Sequence, residues 1–432
     1  MHYPRQLEIM PLTKIPRASV RVPGSKSITN RALVLAAAGG EHSICLSGAL
    51  RSEDTEVMIA ALQKLGFEVD TFWERGAEST EVWLNHPERG IVSTNADLFV
   101  GNSGTSMRFL TALVCLGCGR FRLDGVPRMR ERPIEELLDG LRQLGVRAYS
   151  EHGNGCPPVI IEADGLRGGI VRVSANRSSQ FVSALLLIAP FARGDVTIEV
   201  LGALVSEPYV AMTMRMLQDQ GYHAEIQSGS RFWVSGNQQR HTTGRIDIEP
   251  DASAASYFFG AAAITGGSIT VTGLPMNSLQ GDTRFVEVLE QMGCRIERNG
   301  DALTIHGGPL HGIDVDMNDI SDTVMTLAAV ACFAEGPTTI RNVAHIRHKE
   351  TDRLAALTTE LRRVGAIVEE RPDGLTITPA PLHGAVIQTY NDHRMAMSLA
   401  LVGLKVPGIV IDNPACVAKT YPHFFDDLER LR

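Results

Sequence analysis

The chain has 432 residues, 44% of them hydrophobic, enough for two domains with cores of their own. Its net charge of −8 excludes general binding to nucleic acid or to an anionic membrane surface, which needs a basic balance. Any anion site must therefore be a local concentration of Lys and Arg against the overall sign.

The start, Met1 to Glu8, has no continuous apolar run of the kind a secretory signal carries. Apolar segments such as residues 184–192 fall well short of the roughly 20 residues a membrane span needs. The expectation is a cytoplasmic protein that leaves membranes alone. Seven cysteines, at 45, 115, 118, 156, 294, 332 and 416, are scattered as reduced intracellular thiols are. Cys115 and Cys118 have CxxC spacing at an apolar helix end with no second pair, so they read as core packing rather than metal or redox chemistry.

Residues 7–22 have strand character. The stretch after them, Val22-Pro-Gly-Ser-Lys-Ser-Ile-Thr-Asn-Arg31, reads as a turn feeding a helix. Ser25 and Ser27 are candidate N-caps, and Lys26 and Arg31 stand beside free backbone N–H groups at the positive end of the helix dipole. A nucleotide P-loop is excluded, because Ser25 and Val20 occupy the two positions where that motif needs Gly.

Further on, a Leu-x-x-x-Gly signature recurs at Gly66, Gly145, Gly221, Gly293 and Gly365, a period of roughly 75 residues. Each ends an amphipathic helix with a left-handed Gly and precedes an alternating, half-buried strand. Between them, helices with few polar residues begin near Ser27, Asn102, Ser178, Ala252, Ser321 and Asn391. A helix apolar nearly all round is a buried one.

The pattern gives six units of strand, buried helix, strand, amphipathic helix and two strands. The sixth, ending in a helix over 422–431, lacks its last strands, and residues 7–22 are expected to supply them. Three units per half divide the chain at the polar stretch 240–245. The expected domains are 25–248 and 1–24 plus 249–432, with buried helices inside and sheets outside. Two such domains, joined only near residues 24 and 248, are expected to hinge around a cleft faced by helix N-termini.

Small polar residues crowd these helix starts: Asn102 to Arg108, Ser178 to Gln180, Asp251 to Ser256 and Asn391 to Arg394. Capping explains the Ser, Asn and Asp residues. It does not explain Lys and Arg at helix N-termini, where the dipole disfavours them. Loops before the amphipathic helices add Pro127 to Pro133, His348 to Arg353 and Ala418 to Pro422. That repeated conflict points to an anionic ligand.

Pro-Gly-Ser-Lys-Ser-x-x-Asn-Arg from Pro23, Gly101-Asn-x-Gly-Thr, Pro127-Arg-Met-x-Glu-Arg-Pro, Ser178-Ser-Gln-Phe, Lys349-Glu-Thr-Asp-Arg and Asn391-Asp-His-Arg-Met-Ala-Met together resemble the 5-enolpyruvylshikimate-3-phosphate synthase family, in order from about residue 20 onward. The resemblance implies an α/β, two-domain enolpyruvyl transferase fold, each domain three βαβαββ repeats around a pseudo-threefold axis. It implies transfer of the enolpyruvyl group of phosphoenolpyruvate to the 5-hydroxyl of shikimate 3-phosphate, by addition and elimination, with no metal or organic cofactor. A monomer without nucleic-acid or membrane partners is expected.

Carried over by motif, Lys26, Ser27, Arg31, Ser178, Ser179, Gln180, Ser206, Tyr209, Asp322 and Lys349 would hold shikimate 3-phosphate. Lys26, Arg128, Arg353, Arg394 and Lys419 would hold phosphoenolpyruvate, with Gly104 and Gln180 beside it. Asp322 would be the base towards the 5-hydroxyl and Glu350 the proton donor to the methylene carbon. Lys26 and Lys419 complete the catalytic set. Read without the family, Asp322 is an early-turn acid after Ser321, and Glu350 with Arg353 is an i,i+3 surface pair. Likewise Tyr209 is a helix-start aromatic, and His393 a packing residue.

Two positions depart from the family pattern. His345 stands where many members carry a sugar-phosphate-binding Asn, and Phe109 where Pro is usual, a position bearing on sensitivity to the inhibitor glyphosate. The sister UDP-N-acetylglucosamine enolpyruvyl transferases resemble the chain less, since they carry a Cys in the loop that here spans 127–133.

Overall fold

The computed structural model describes residues 3–39, 43–73, 80–87, 90–239 and 244–432. The chain divides into two compact units, Met1–Pro23 with Glu249–Arg432, and Gly24–Ile248. Among the described residues each unit carries three sheets outside and three buried helices inside.

One repeat shows why the others form. Strand Asn95–Phe99 leads into helix Gly104–Leu113, buried on every side, and returns as Cys118–Asp124, parallel to the first strand. Helix Glu135–Gln143 then covers the sheet with Leu137, Leu138 and Leu141. Strands Arg147–Ser150 and Val159–Asp164 close it as an antiparallel pair. The order is strand, helix, strand, helix, two strands.

The recurring glycine has φ of 103° at Gly66, 86° at Gly145, 81° at Gly221, 111° at Gly293 and 105° at Gly365. That region is open to Gly at little cost, so each amphipathic helix ends there.

In the Gly24–Ile248 unit, inner helices Lys26–Gly39, Gly104–Leu113 and Gln180–Ile188 pack on one another. In the other unit Val324–Ala331 packs on both Ala252–Thr265 and His393–Ala400. Close approach there needs Gly260, where a Cβ would lie 2.8 Å from Thr326 Cγ2. Burying such helices on all faces provides the apolar core that stabilises each unit.

The ends of the chain are shared out differently from the expectation. Strand Gln6–Ile9 does complete the sixth sheet, antiparallel to Ile409–Asp412. However, strand Arg17–Val20 joins the fourth sheet, parallel to Ser268–Val271, which leaves the sixth with three strands. Pro11 and Pro16 separate the two, since proline lacks the N–H a continuous ladder would need.

Residues 240–243 lie outside the described residues, but Arg245–Asp247 is a strand, parallel to Ile44–Ser47, that opens the first repeat's sheet. No helix among the described residues is long and apolar enough to cross a membrane.

Candidate active site

In the Gly24–Ile248 unit, Ser25 precedes helix Lys26–Gly39 and its Oγ accepts from Ile28 N at 3.5 Å. Ser27 falls inside the first turn instead of capping it. Lys26 pairs with the buried Asp54 at 3.3 Å. Asp54 had no place in the sequence reading, where it looks like one more first-turn acid behind the cap Ser52.

Arg31 is 2% exposed. Its Nε donates to Thr213 Oγ1 at 2.7 Å, its Nη1 to Ser27 O at 2.9 Å, and its Nη2 to Ser183 Oγ at 3.2 Å and Tyr209 O at 3.1 Å. Tyr209 thus meets Arg31 through its carbonyl. No carboxylate pairs with Arg31 among the described residues, and burial pulls its pKa down to about 10.

Ser178 Oγ accepts from Gln180 N, and Gln180 reaches Thr105 at 3.3 Å, tying the third inner helix to the second. Ser179 precedes helix Gln180–Ile188. Ser206, before helix Glu207–Asp219, has left-handed backbone with φ 52°.

The arginine loop places its residues at different depths. Arg128 ion-pairs with Glu131 at 2.9 Å, an i,i+3 contact on a half-exposed turn. Arg132, buried, lies against Gly104 instead: a Cβ there would sit 2.8 Å from Arg132 Cζ, and Arg132 Nη1 donates to Asn102 O at 3.1 Å. The sequence holds both arginines in one motif and cannot say which turns inward.

In the unit of residues 249–432, the structure brings the predicted residues into one network. Asp322 Oδ2 accepts from Arg394 Nη2 at 2.8 Å, and Oδ1 lies 3.3 Å from Arg353 Nη1 and 3.7 Å from Lys349 Nζ. Arg353 Nη2 donates to Glu350 at 2.8 Å and its Nε to Asp392 at 2.8 Å. Burial works to lower the pKa of Arg353, but Asp392, Glu350 and Asp322 outweigh it and hold the guanidinium above its ordinary value.

Two readings made without the family are overturned here. Glu350 and Arg353 are both buried, so theirs is no surface pair. Asp322 sits on the 3-10 segment Asn318–Thr323, which is kinked at Ile320, before helix Val324–Ala331.

Arg394 also donates to Tyr257, whose hydroxyl burial pushes up to about 12. Lys419, buried, ends the turn Pro414–Lys419, which packs on helix His393–Ala400. Asp282 accepts from Ser253, and burial together with Asp322 pushes its pKa up to about 6.

Left-handed backbone at Tyr390, Asn391, Asn342 and Asn413 precedes the segments carrying Arg394, Lys349 and Lys419. Unusual backbone of this kind concentrates where side chains must be aimed.

His345 is 4% exposed, and burial, followed by the charge of Lys349, lowers its pKa from 6.5 to about 3; His348 and Arg353 add to this, while Asp322 opposes it. The unfolded chain therefore takes up a proton below pH 6.5 that the folded chain refuses until about pH 3. Stability falls as pH drops through that window. Urea unfolding of wild type and His345→Asn is expected to diverge below pH 6.5, the wild type losing more by up to about 1.4 kcal/mol per pH unit. Parallel pH slopes would contradict the burial argument.

Comparison with known proteins identifies the family. The family model described as EPSP synthase (3-phosphoshikimate 1-carboxyvinyltransferase) matches residues 13–428. The chain is 49% identical over 420 residues to a 3-phosphoshikimate 1-carboxyvinyltransferase of Nostoc punctiforme, covering 97% of each. It is 44% identical over 431 residues to one of Shewanella sp. (strain ANA-3), covering 99% of this chain and 100% of the relative. Among solved structures, an EPSP synthase from Acinetobacter baumannii superposes with a TM-score of 0.80 at 27% identity, over 99% of this chain and 98% of that one. With a match spanning nearly its whole length, the chain belongs to the EPSP synthase (3-phosphoshikimate 1-carboxyvinyltransferase) family.

Proposed function

We propose that the protein transfers the enolpyruvyl group of phosphoenolpyruvate to the 5-hydroxyl of shikimate 3-phosphate. The observation that carries this reading is Arg31: a buried guanidinium with neutral partners and no carboxylate among the described residues. A charge held out of water without a counter-ion is costly, and an anionic ligand offsets that cost. Membership of the family supplies the identity of the anion.

The 5-hydroxyl oxygen attacks the central carbon of phosphoenolpyruvate while its proton passes to Asp322. Glu350 gives a proton to the methylene carbon, making a methyl group on a tetrahedral intermediate. Glu350, now a carboxylate, takes a methyl proton back, and the C–H electrons restore the double bond as phosphate leaves. General acid and base groups typically contribute on the order of 10²–10⁴-fold each.

Lys26, Arg128, Arg353, Arg394 and Lys419 meet carboxylate and phosphate charge, with Gly104 and Gln180 beside them and Arg132 against Gly104. Planar guanidinium forks suit two-oxygen contacts. Lys349, Ser27, Ser178, Ser179, Gln180, Ser206 and Tyr209 complete the sugar-phosphate set with Arg31. The same reading has the enzyme working as a monomer in the cytoplasm.

The test is phosphate release from phosphoenolpyruvate, with shikimate 3-phosphate or UDP-N-acetylglucosamine as acceptor. Release is expected only with shikimate 3-phosphate. Release only with the UDP sugar, or with neither acceptor, would overturn the reading.

A further inference from the structure

Arg31 has a neighbour that the proposed chemistry does not use. The guanidinium carbon lies 5.1 Å from the centroid of the Phe109 ring, across the contact between helices Lys26–Gly39 and Gly104–Leu113. Phe109 is wholly buried. Guanidinium offers five N–H donors. Four meet Thr213, Ser27, Ser183 and Tyr209, and the fifth, on Nη1, has no acceptor among the described residues.

All four acceptors are neutral oxygens, so none cancels the charge. The face of an aromatic ring carries the negative end of its quadrupole, and a cation over it is attracted most strongly when both are removed from water. An aliphatic side chain at position 109 would fill the same space without that field. The ring also limits the tilt of the guanidinium, and so the direction of the fifth N–H.

We propose that Phe109 is a positioning residue for shikimate 3-phosphate, its ring face holding the Arg31 guanidinium so that the remaining Nη1 donor meets the anion. The proposal rests on the reading of Arg31 as a residue that binds this substrate. Phe109 touches no reacting atom in it, so its effect belongs in substrate affinity and not in turnover.

Fluorination separates the ring's field from its shape, because each fluorine withdraws density from the face while changing volume little. Full-length protein carrying 4-fluoro-, 3,5-difluoro- or 3,4,5-trifluorophenylalanine at position 109 is titrated with shikimate 3-phosphate by calorimetry, beside Phe109→Leu. The expected result is a Kd that rises with each fluorine, reaching about 5- to 20-fold for the trifluoro ring. Saturated kcat and Tm should stay close to those of the unsubstituted protein across the fluorinated series.

A Kd independent of fluorination overturns the proposal, and a loss confined to Phe109→Leu would assign the ring to packing alone. An unsubstituted protein that does not bind shikimate 3-phosphate at all defeats the functional reading itself. That result is distinct from a flat series.

Discussion

Asp322→Asn is expected to lower kcat on the order of 10²–10⁴-fold without raising the KM for phosphoenolpyruvate. Asparagine keeps the shape and one acceptor oxygen, so the turn Asn318–Thr323 has no steric reason to move. What disappears is the ability to take a proton from the 5-hydroxyl. Arg394, Arg353 and Lys349 now share Asp322, at 2.8, 3.3 and 3.7 Å. Once that carboxylate is neutral, these cations lose an internal competitor for substrate charge. Steady-state kinetics with each substrate varied in turn gives the split between kcat and KM. A kcat within threefold of wild type would remove Asp322 from the role of base. A preserved kcat with a raised KM would make it a binding residue only.

The repeats were legible because two local signals recur along the chain. Left-handed glycines such as Gly145 and Gly293 end the outer helices, and runs with few polar residues, such as residues 252–264, are buried. Partner choice between distant strands was not legible. Segment 7–22 has strand character throughout, yet Gln6–Ile9 and Arg17–Val20 go to different sheets, since pairing depends on where each sheet's free edge stands.

The site shows the same division. Small polar residues at buried helix starts, with cations among them, are legible as candidate anion-binding positions in the sequence itself. Which cation turns inward was hidden, as Arg128 and Arg132 illustrate. Their directions follow from the turn Met129–Glu131 and from the bond of Val126 N to Gly101 O at 3.1 Å, a contact between loops that no local pattern encodes. Asp54 and Asp392 were missed for a related reason. An acid at a helix start is accounted for by the dipole alone, and nothing in the sequence says that it also holds Lys26 or Arg353.

The second large effect is on stability. Arg353→Met is expected to destabilise the protein by about 3–5 kcal/mol, the range found when one partner of a buried ion pair is removed. Arg353 is 1% exposed and bonds three carboxylates, those of Asp392, Glu350 and Asp322. Methionine can fill much of the volume, so the loss comes chiefly from charges left uncompensated and not from a cavity. Asp322 keeps Arg394 and Lys349, and Asp392 keeps the backbone N–H of Arg394. Glu350 is buried, 2.8 Å from Arg353. A double variant, Arg353→Met with Glu350→Gln, should therefore recover part of the stability lost in the single one, though neither should catalyse. Lysine at 353 restores the charge without the planar fork, and an intermediate stability follows. Urea unfolding of the four proteins at pH 7 measures all of this. A loss under 1 kcal/mol in the single variant, or no recovery in the double one, would mean that the buried network is solvated well enough to do without its central cation.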